Sequence, residues 1–300
     1  MPLVVSPQTY RRIAGLSLAA LCVIVLTGAL VRLTGSGLGC ADWPRCSQDK
    51  FVDVSSSHTA IEQINRLFTG VVSALVIIAV LAARYRRPYR RDLMLWSWSL
   101  VVGVLAQVAL GGVVVLTGLN PFANMGHFLL SMVLVTCGFI LFRKSGEEKA
   151  CPLRRTDGIP GVIQRDLAIF GVVAIATLVA GTVVTATGPH AGDEKAVRFG
   201  FELRSVARIH SAVVILLFIV AAVLLRRIKK SPTSAPLTAL DESMRTFVIV
   251  GLFQGVIGYA QYFSGVPVFL VSIHVAGVIA YWLTICHVLI APLREGTQTI

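Results

Sequence analysis

Charge is what this sequence has least of. Only 14% of its 300 residues are Asp, Glu, Lys or Arg, and just 15 are acidic, where a soluble chain carries roughly a quarter charged residues. With 55% hydrophobic residues and a mean hydropathy of +0.78, that shortage excludes an ordinary soluble domain. A small-residue cleavage site is also missing. The first apolar run follows Arg11 and Arg12 and ends in Arg32-Leu33-Thr34-Gly35, so it reads as a retained span and not as a secretory signal. No low-complexity tail is present.

What the chain has instead is apolar runs. Eight are centred near residues 13–33, 62–83, 93–117, 123–142, 166–187, 205–225, 246–264 and 269–291. Runs of about 20 apolar residues cross the roughly 30 Å hydrocarbon layer as helices. Basic residues between them are unevenly shared. With the amino terminus placed in the cytoplasm, nineteen fall on that side, in five groups (Arg11 and Arg12, Arg84–Arg91, Arg143–Arg165, Arg226–Arg245, Arg294). Only Arg45, Lys50, Lys195, Arg198 and Arg204 fall opposite. This bias puts both termini in the cytoplasm of a multi-pass protein of the cell (inner) membrane. The bilayer and its anionic lipids are then the expected neighbours of these charges; nucleic acid is not.

Cysteine usage agrees. Cys40 and Cys46 are the only two in an outward loop, where an oxidising compartment permits a disulfide. Cys22, Cys137 and Cys286 lie within spans as small apolar fillers, and Cys151 lies in a cytoplasmic loop.

The sequence repeats itself. Gln107, Gly111, Gly118 and His127 match Gln254, Gly258, Gly265 and His274 at a constant offset of 147 residues. The second run, at Asn65, aligns with the sixth, at His210, at nearly the same offset. Gly28–Val31 with Thr34-Gly35 corresponds to Gly181–Val184 with Thr187-Gly188. Two halves of four spans, 1–147 and 148–300, therefore enter the membrane in the same sense, as parallel repeats. The expected fold class is all-α integral membrane, with eight transmembrane helices in two four-helix bundles. The basic stretch from Arg143 to Arg165 links them.

His127, His210 and His274 each fall about five residues into an even-numbered span, and Asn65 takes the fourth equivalent place. At 1.5 Å per residue all four lie about 5–10 Å below the outer rim. Ionisable groups are costly inside a membrane, and three at one depth point to a shared task. Two imidazoles on facing helices supply the axial bonds of a haem iron. His210 and His274 form such a pair. His127 faces only Asn65, an amide that binds iron poorly, which leaves one axial position of the first half open or weakly held. The competing account, in which each histidine only hydrogen-bonds a neighbour, suits a lone residue better than three matched ones. Zinc is disfavoured because no Cys or carboxylate lies near all three. His287 turns about 140° away from His274 on its helix and is read as structural. His58 and His190 lie in outward loops, His58 being the alternative ligand nearest Asn65.

Glu62 is the one acidic residue close to these positions within the membrane, three residues before Asn65 on the same helical face. Two readings are open: an ion pair with Arg66 one turn on, or handling of protons or positive charge during chemistry. Arg66 and Arg208 suit snorkelling outward or pairing with haem propionates.

Taken together, Thr34-Gly-Ser-Gly-Leu-Gly-Cys40-Ala-Asp-Trp43-Pro44-Arg-Cys46, Glu62-Gln-Ile-Asn65-Arg66, Gly126-His127-Phe128, Thr187-Gly-Pro-His-Ala-Gly-Asp193, Ile209-His210 and Ile273-His274 resemble the haem A synthase family over nearly the whole chain. The resemblance implies a membrane haem-dependent oxidoreductase that turns a methyl group of haem O into a formyl group, giving haem A. It implies haem b as the cofactor of the second half, on His210 and His274. It places haem O in the first half at His127, with Asn65 and Arg66 beside it, Glu62 as the catalytic carboxylate and a Cys40–Cys46 disulfide near the substrate. The partners implied are haem O, an unidentified electron acceptor and the haem O synthase upstream. Asn65 departs from the family pattern, in which many relatives carry a second histidine. A b-type haem electron-transfer membrane protein is the second reading; it would usually pair histidines in both halves and lack Glu62. A parallel-repeat transporter would carry its polar site at the midplane, whereas these polar residues gather at the outer edge.

Overall fold

The computed structural model describes residues 4–150 and 158–290. Cys151, Arg154, Arg155 and Arg294 lie outside the described residues. Eight α-helices follow in order: α1 (Pro7–Leu33), α2 (Ser57–Tyr85), α3 (Arg91–Leu116), α4 (Pro121–Ser145), α5 (Gly161–Thr187), α6 (Leu203–Lys230), α7 (Ala235–Phe263) and α8 (Val268–Ile290). All eight are long and apolar enough to cross a membrane, so the chain is an all-α, multi-pass membrane protein. Several helices overrun their apolar runs because polar caps start them early. Ser6 caps α1 before Pro7, Ser56 forms a capping box with Thr59, and Asn120 caps α4 before Pro121, each satisfying N–H groups that the first turn leaves unpaired. Large apolar side chains such as Leu16, Ile78, Leu105, Val172, Ile219 and Leu252 point outward, where acyl chains are as apolar as leucine.

The chain divides into two compact units, residues 1–151 with 185–200, and residues 152–184 with 201–300. In the first, α1 packs on α2 and α4, and α3 packs on α2 and α4, which closes a four-helix ring. At the end holding the start of α1, Arg90 and Lys144 share Asp92 at 2.7 and 3.6 Å. The opposite end carries the 34–56 loop and the short α3–α4 turn. Residues 185–200 join this end: the Gly37 N–H donates to the Gly192 carbonyl at 2.9 Å, and Ala191 and Ala196 pack with Val114 and Leu119.

In the second unit, α5 to α8 share one core containing Phe170, Leu217, Leu240, Phe247 and Val288. Asp166 pairs with Arg227 at 2.8 Å. The turns ending α3 and α7 are alike residue for residue. Gly118 and Leu119 have φ of 63° and 62°, and Gly265 and Val266 have φ of 78° and 59°. In each turn the second residue donates its N–H to a carbonyl five residues back at 2.8 Å, closing the helix end as a left-handed cap does. These turns set the start of α4 and α8, the two helices that carry His127 and His274.

Candidate functional site

Each of the four repeat-equivalent side chains is seated on a glycine of the preceding helix. A Cβ built on Gly111 of α3 would meet Cε1 of His127 at 3.3 Å. On Gly258 of α7 it would meet Cε1 of His274 at 3.2 Å, and on Gly181 of α5 Cε1 of His210 at 3.2 Å. The fourth couple is looser, with Gly28 of α1 lying 3.9 Å from the Asn65 amide nitrogen by the same construction. An added methyl would have to push each ring away, so these glycines fix how close the imidazole lies to the neighbouring backbone. The repeat marks all four in sequence. What they touch is visible only in three dimensions.

The glutamines of the repeat hold the backbone beneath two of the rings. Gln107 donates to the His127 carbonyl at 3.1 Å, and Gln254 to the His274 carbonyl at 2.8 Å. Each glutamine thereby holds the backbone of the very residue that bears the ring, in the manner of outer groups that orient a ligand.

A haem iron takes one nitrogen of each axial imidazole, and that nitrogen must be free of other partners. The Nδ1 atoms of His127, His210 and His274 are buried and make no hydrogen bond, which is uncommon for buried polar groups. His210 also meets a backbone polar group of Thr177, and its charge acts on His274. In the second unit, then, two imidazoles are carried on α6 and α8, which share one core. The residues fit a haem with two axial nitrogens.

The first unit differs at one place. The Thr27 hydroxyl donates to Asn65 Oδ1 at 2.8 Å, which occupies the one Asn65 atom suited to iron. His58 is exposed and held by Ser36, whose hydroxyl meets its Nδ1 at 2.9 Å.

Glu62 and Arg66 fasten the outer loop. Cys40 and Cys46 are joined by a disulfide. Glu62, only 5% exposed, accepts from the Cys40 N–H at 2.7 Å and from Arg66 Nη2 and Nε at 2.6 and 3.0 Å. Arg66 also donates to the carbonyls of Cys40 (3.0 Å), Asp42 (3.3 Å) and Arg45 (3.1 Å). The ion pair read from the four-residue spacing is present. The three carbonyls were not legible, because nothing in a sequence says where a loop folds back. Trp43 lies on α3: a Cβ on Gly112 would meet its ring at 2.9 Å. Gly111 thus receives His127 and its neighbour Gly112 receives the loop tryptophan. Arg208, at the start of α6, is exposed.

A family model described as cytochrome oxidase assembly protein matches residues 11–286. A haem A synthase of Geobacillus thermodenitrificans is 34% identical over 121 residues, 40% of this chain and 38% of that protein. A haem A synthase of Geobacillus kaustophilus is 31% identical over 142 residues, 46% and 44% of the two chains. One from Oceanobacillus iheyensis is 31% identical over 137 residues, 44% and 42%. Each match spans less than half the length of the relative.

Proposed function

This chain belongs to the cytochrome oxidase assembly protein family, and from that membership we propose that it oxidises a methyl group of haem O to a formyl group, producing haem A. The observation that carries the reading is the asymmetry between two otherwise matched sites. One has two imidazoles seated on glycines; the other has one imidazole and an amide already bound to Thr27. A site for a permanently held haem and a site for one that must react and leave call for this difference.

The first half, 1–147, is the substrate half, and the second, 148–300, the cofactor half. His210 and His274 hold haem b, which supplies one-electron transfer when bound. His127 fixes the substrate iron on one side, and Asn65 leaves the other side open. The methyl carbon undergoes two successive two-electron oxidations, each adding one oxygen atom from water and releasing two protons, to a hydrated aldehyde that loses one water; the four electrons pass to an external acceptor. Glu62 is the catalytic carboxylate. Its fixed negative charge stabilises positive charge developing at the methyl carbon. Arg66 serves the substrate by holding Glu62 and the Cys40–Cys46 loop in place. The protein lies in the cell membrane with both termini in the cytoplasm, and haem O from haem O synthase enters it laterally from the membrane.

The test is pigment analysis of membranes expressing the protein with a supply of haem O. Formation of haem A supports the reading. A purified protein carrying only b-type haem, with haem O untouched, favours an electron-transfer role instead.

A further inference from the structure

Arg32 ends α1 one turn beyond Gly28, a rise of about 6 Å along the helix, on the side away from the basic cluster. Its Nη2 donates to the Thr185 carbonyl at 2.5 Å, yet its Nε is buried without a partner. The one charged group that acts on it is another cation, Arg198. Arg198 is exposed and donates to the carbonyls of Gly188 and Pro189 at 3.2 and 2.9 Å. Neither arginine pairs with a carboxylate among the described residues. Two guanidiniums that repel each other, one with a desolvated N–H, are costly for the protein alone. An anion relieves both costs at once.

Two further facts narrow the anion. Arg32 belongs to one half only, since Thr185 stands at the equivalent place, two residues before Thr187 as Arg32 is before Thr34. Of the two arginines read from the sequence as partners for haem propionates, Arg66 and Arg208, the one in the first half, Arg66, is spent on Glu62 and three loop carbonyls. We propose that Arg32, with Arg198 beside it, binds a propionate carboxylate of the haem taken up by the first half. This rests on the substrate assignment made above.

Haem O and its dimethyl ester are titrated anaerobically into the haem b-loaded protein in phosphatidylcholine nanodiscs, with binding read from the Soret band. The resident haem b spectrum reports intact folding. Loss of one charge-assisted contact is expected to weaken haem O binding of Arg32→Gln about tenfold or more and to leave ester binding unchanged. Arg32→Lys should recover part of the loss, and Arg198→Gln should show a smaller one. Unchanged haem O affinity in Arg32→Gln, or equal losses for acid and ester, overturns the proposal and leaves the substrate site standing. If the unaltered protein takes up no second haem, both fall. If Arg32→Gln binds haem O normally but loses phosphatidylglycerol in native mass spectrometry, the occupant is a lipid phosphate and the proposal fails.

Discussion

The imidazole of His274 rests against Gly258, where a Cβ would stand 3.2 Å from its Cε1, and His127 rests against Gly111 at 3.3 Å in the same way. Contacts this short leave no room for a methyl group unless the ring moves. Gly258→Val should therefore displace His274 and cost the protein much of its haem b, with Gly258→Ala giving a milder spectral shift. Gly111→Val should spare haem b and weaken haem O uptake. His210→Ala and His274→Ala set the limit of full loss, since each would remove one of the two axial nitrogens proposed for haem b. Pyridine haemochrome stoichiometry on purified variants decides this. Full haem b occupancy in Gly258→Val would show that the glycine is not a seat.

A second relationship separates the halves. Thr27 donates to Asn65 at 2.8 Å, and one residue before Gly181, where the repeat matches Thr27, the second half has Ala180, while His210 replaces Asn65. The double variant Thr27→Ala, Asn65→His rebuilds the second-half arrangement in the first. Bound haem O should then become low-spin, and haem A formation should fall because the open axial side is closed. Electron paramagnetic resonance of the haem O complex reads the spin state directly. A complex that stays high-spin would mean that residue 65 does not face the iron.

Much of this was legible in sequence, for physical reasons. Twenty apolar residues in a row have few other fates, so the eight spans were visible, and the glycines that receive His127, His210 and His274 were marked by the repeat. The Glu62–Arg66 pair followed from their spacing. Other features leave no such trace. Caps such as Ser56 and Asn120 extend helices beyond the apolar runs. Residues 185–200 pack with the first unit through backbone and small side chains, Gly37 to Gly192 and Ala191 beside Leu119, and contacts of that kind have no periodicity to read. Arg66 looks like a snorkelling cation until the loop carbonyls are seen around it.

That arrangement of Arg66 is itself testable. Arg66→Leu removes the donor to the carbonyls of Cys40, Asp42 and Arg45 and leaves the Glu62 carboxylate without its cation. Hydrogen bonds to charged groups contribute about 1.5–3 kcal/mol, so the variant should melt at a lower temperature. Amide exchange over residues 40–46 should rise even though the Cys40–Cys46 disulfide remains, which thiol mapping by mass spectrometry would verify. Unchanged exchange across the loop would mean that the disulfide alone orders it.

Glu62→Gln separates chemistry from anchoring. The glutamine carbonyl can still accept from the Cys40 N–H, while the charge opposite Arg66 is gone. If Glu62 only ties the loop to α2, the cost is the charge-assisted contact with Arg66, about 1.5–3 kcal/mol of stability, and turnover of the folded protein stays near normal. If its negative charge stabilises the oxidation, about 3–4 kcal/mol of barrier lowering disappears and the rate falls roughly 100- to 1000-fold. The second-half haem b should stay bound in either case, because His210 and His274 stand on α6 and α8. We expect the slow enzyme, with the alcohol intermediate accumulating if the second oxidation depends on Glu62 more than the first. Arg66→Leu serves as the control, since it loosens the same loop and keeps the carboxylate. Chromatographic assay of haem O, the alcohol and haem A in both variants distinguishes the roles. A near-normal haem A yield from Glu62→Gln would leave Glu62 as an anchor alone.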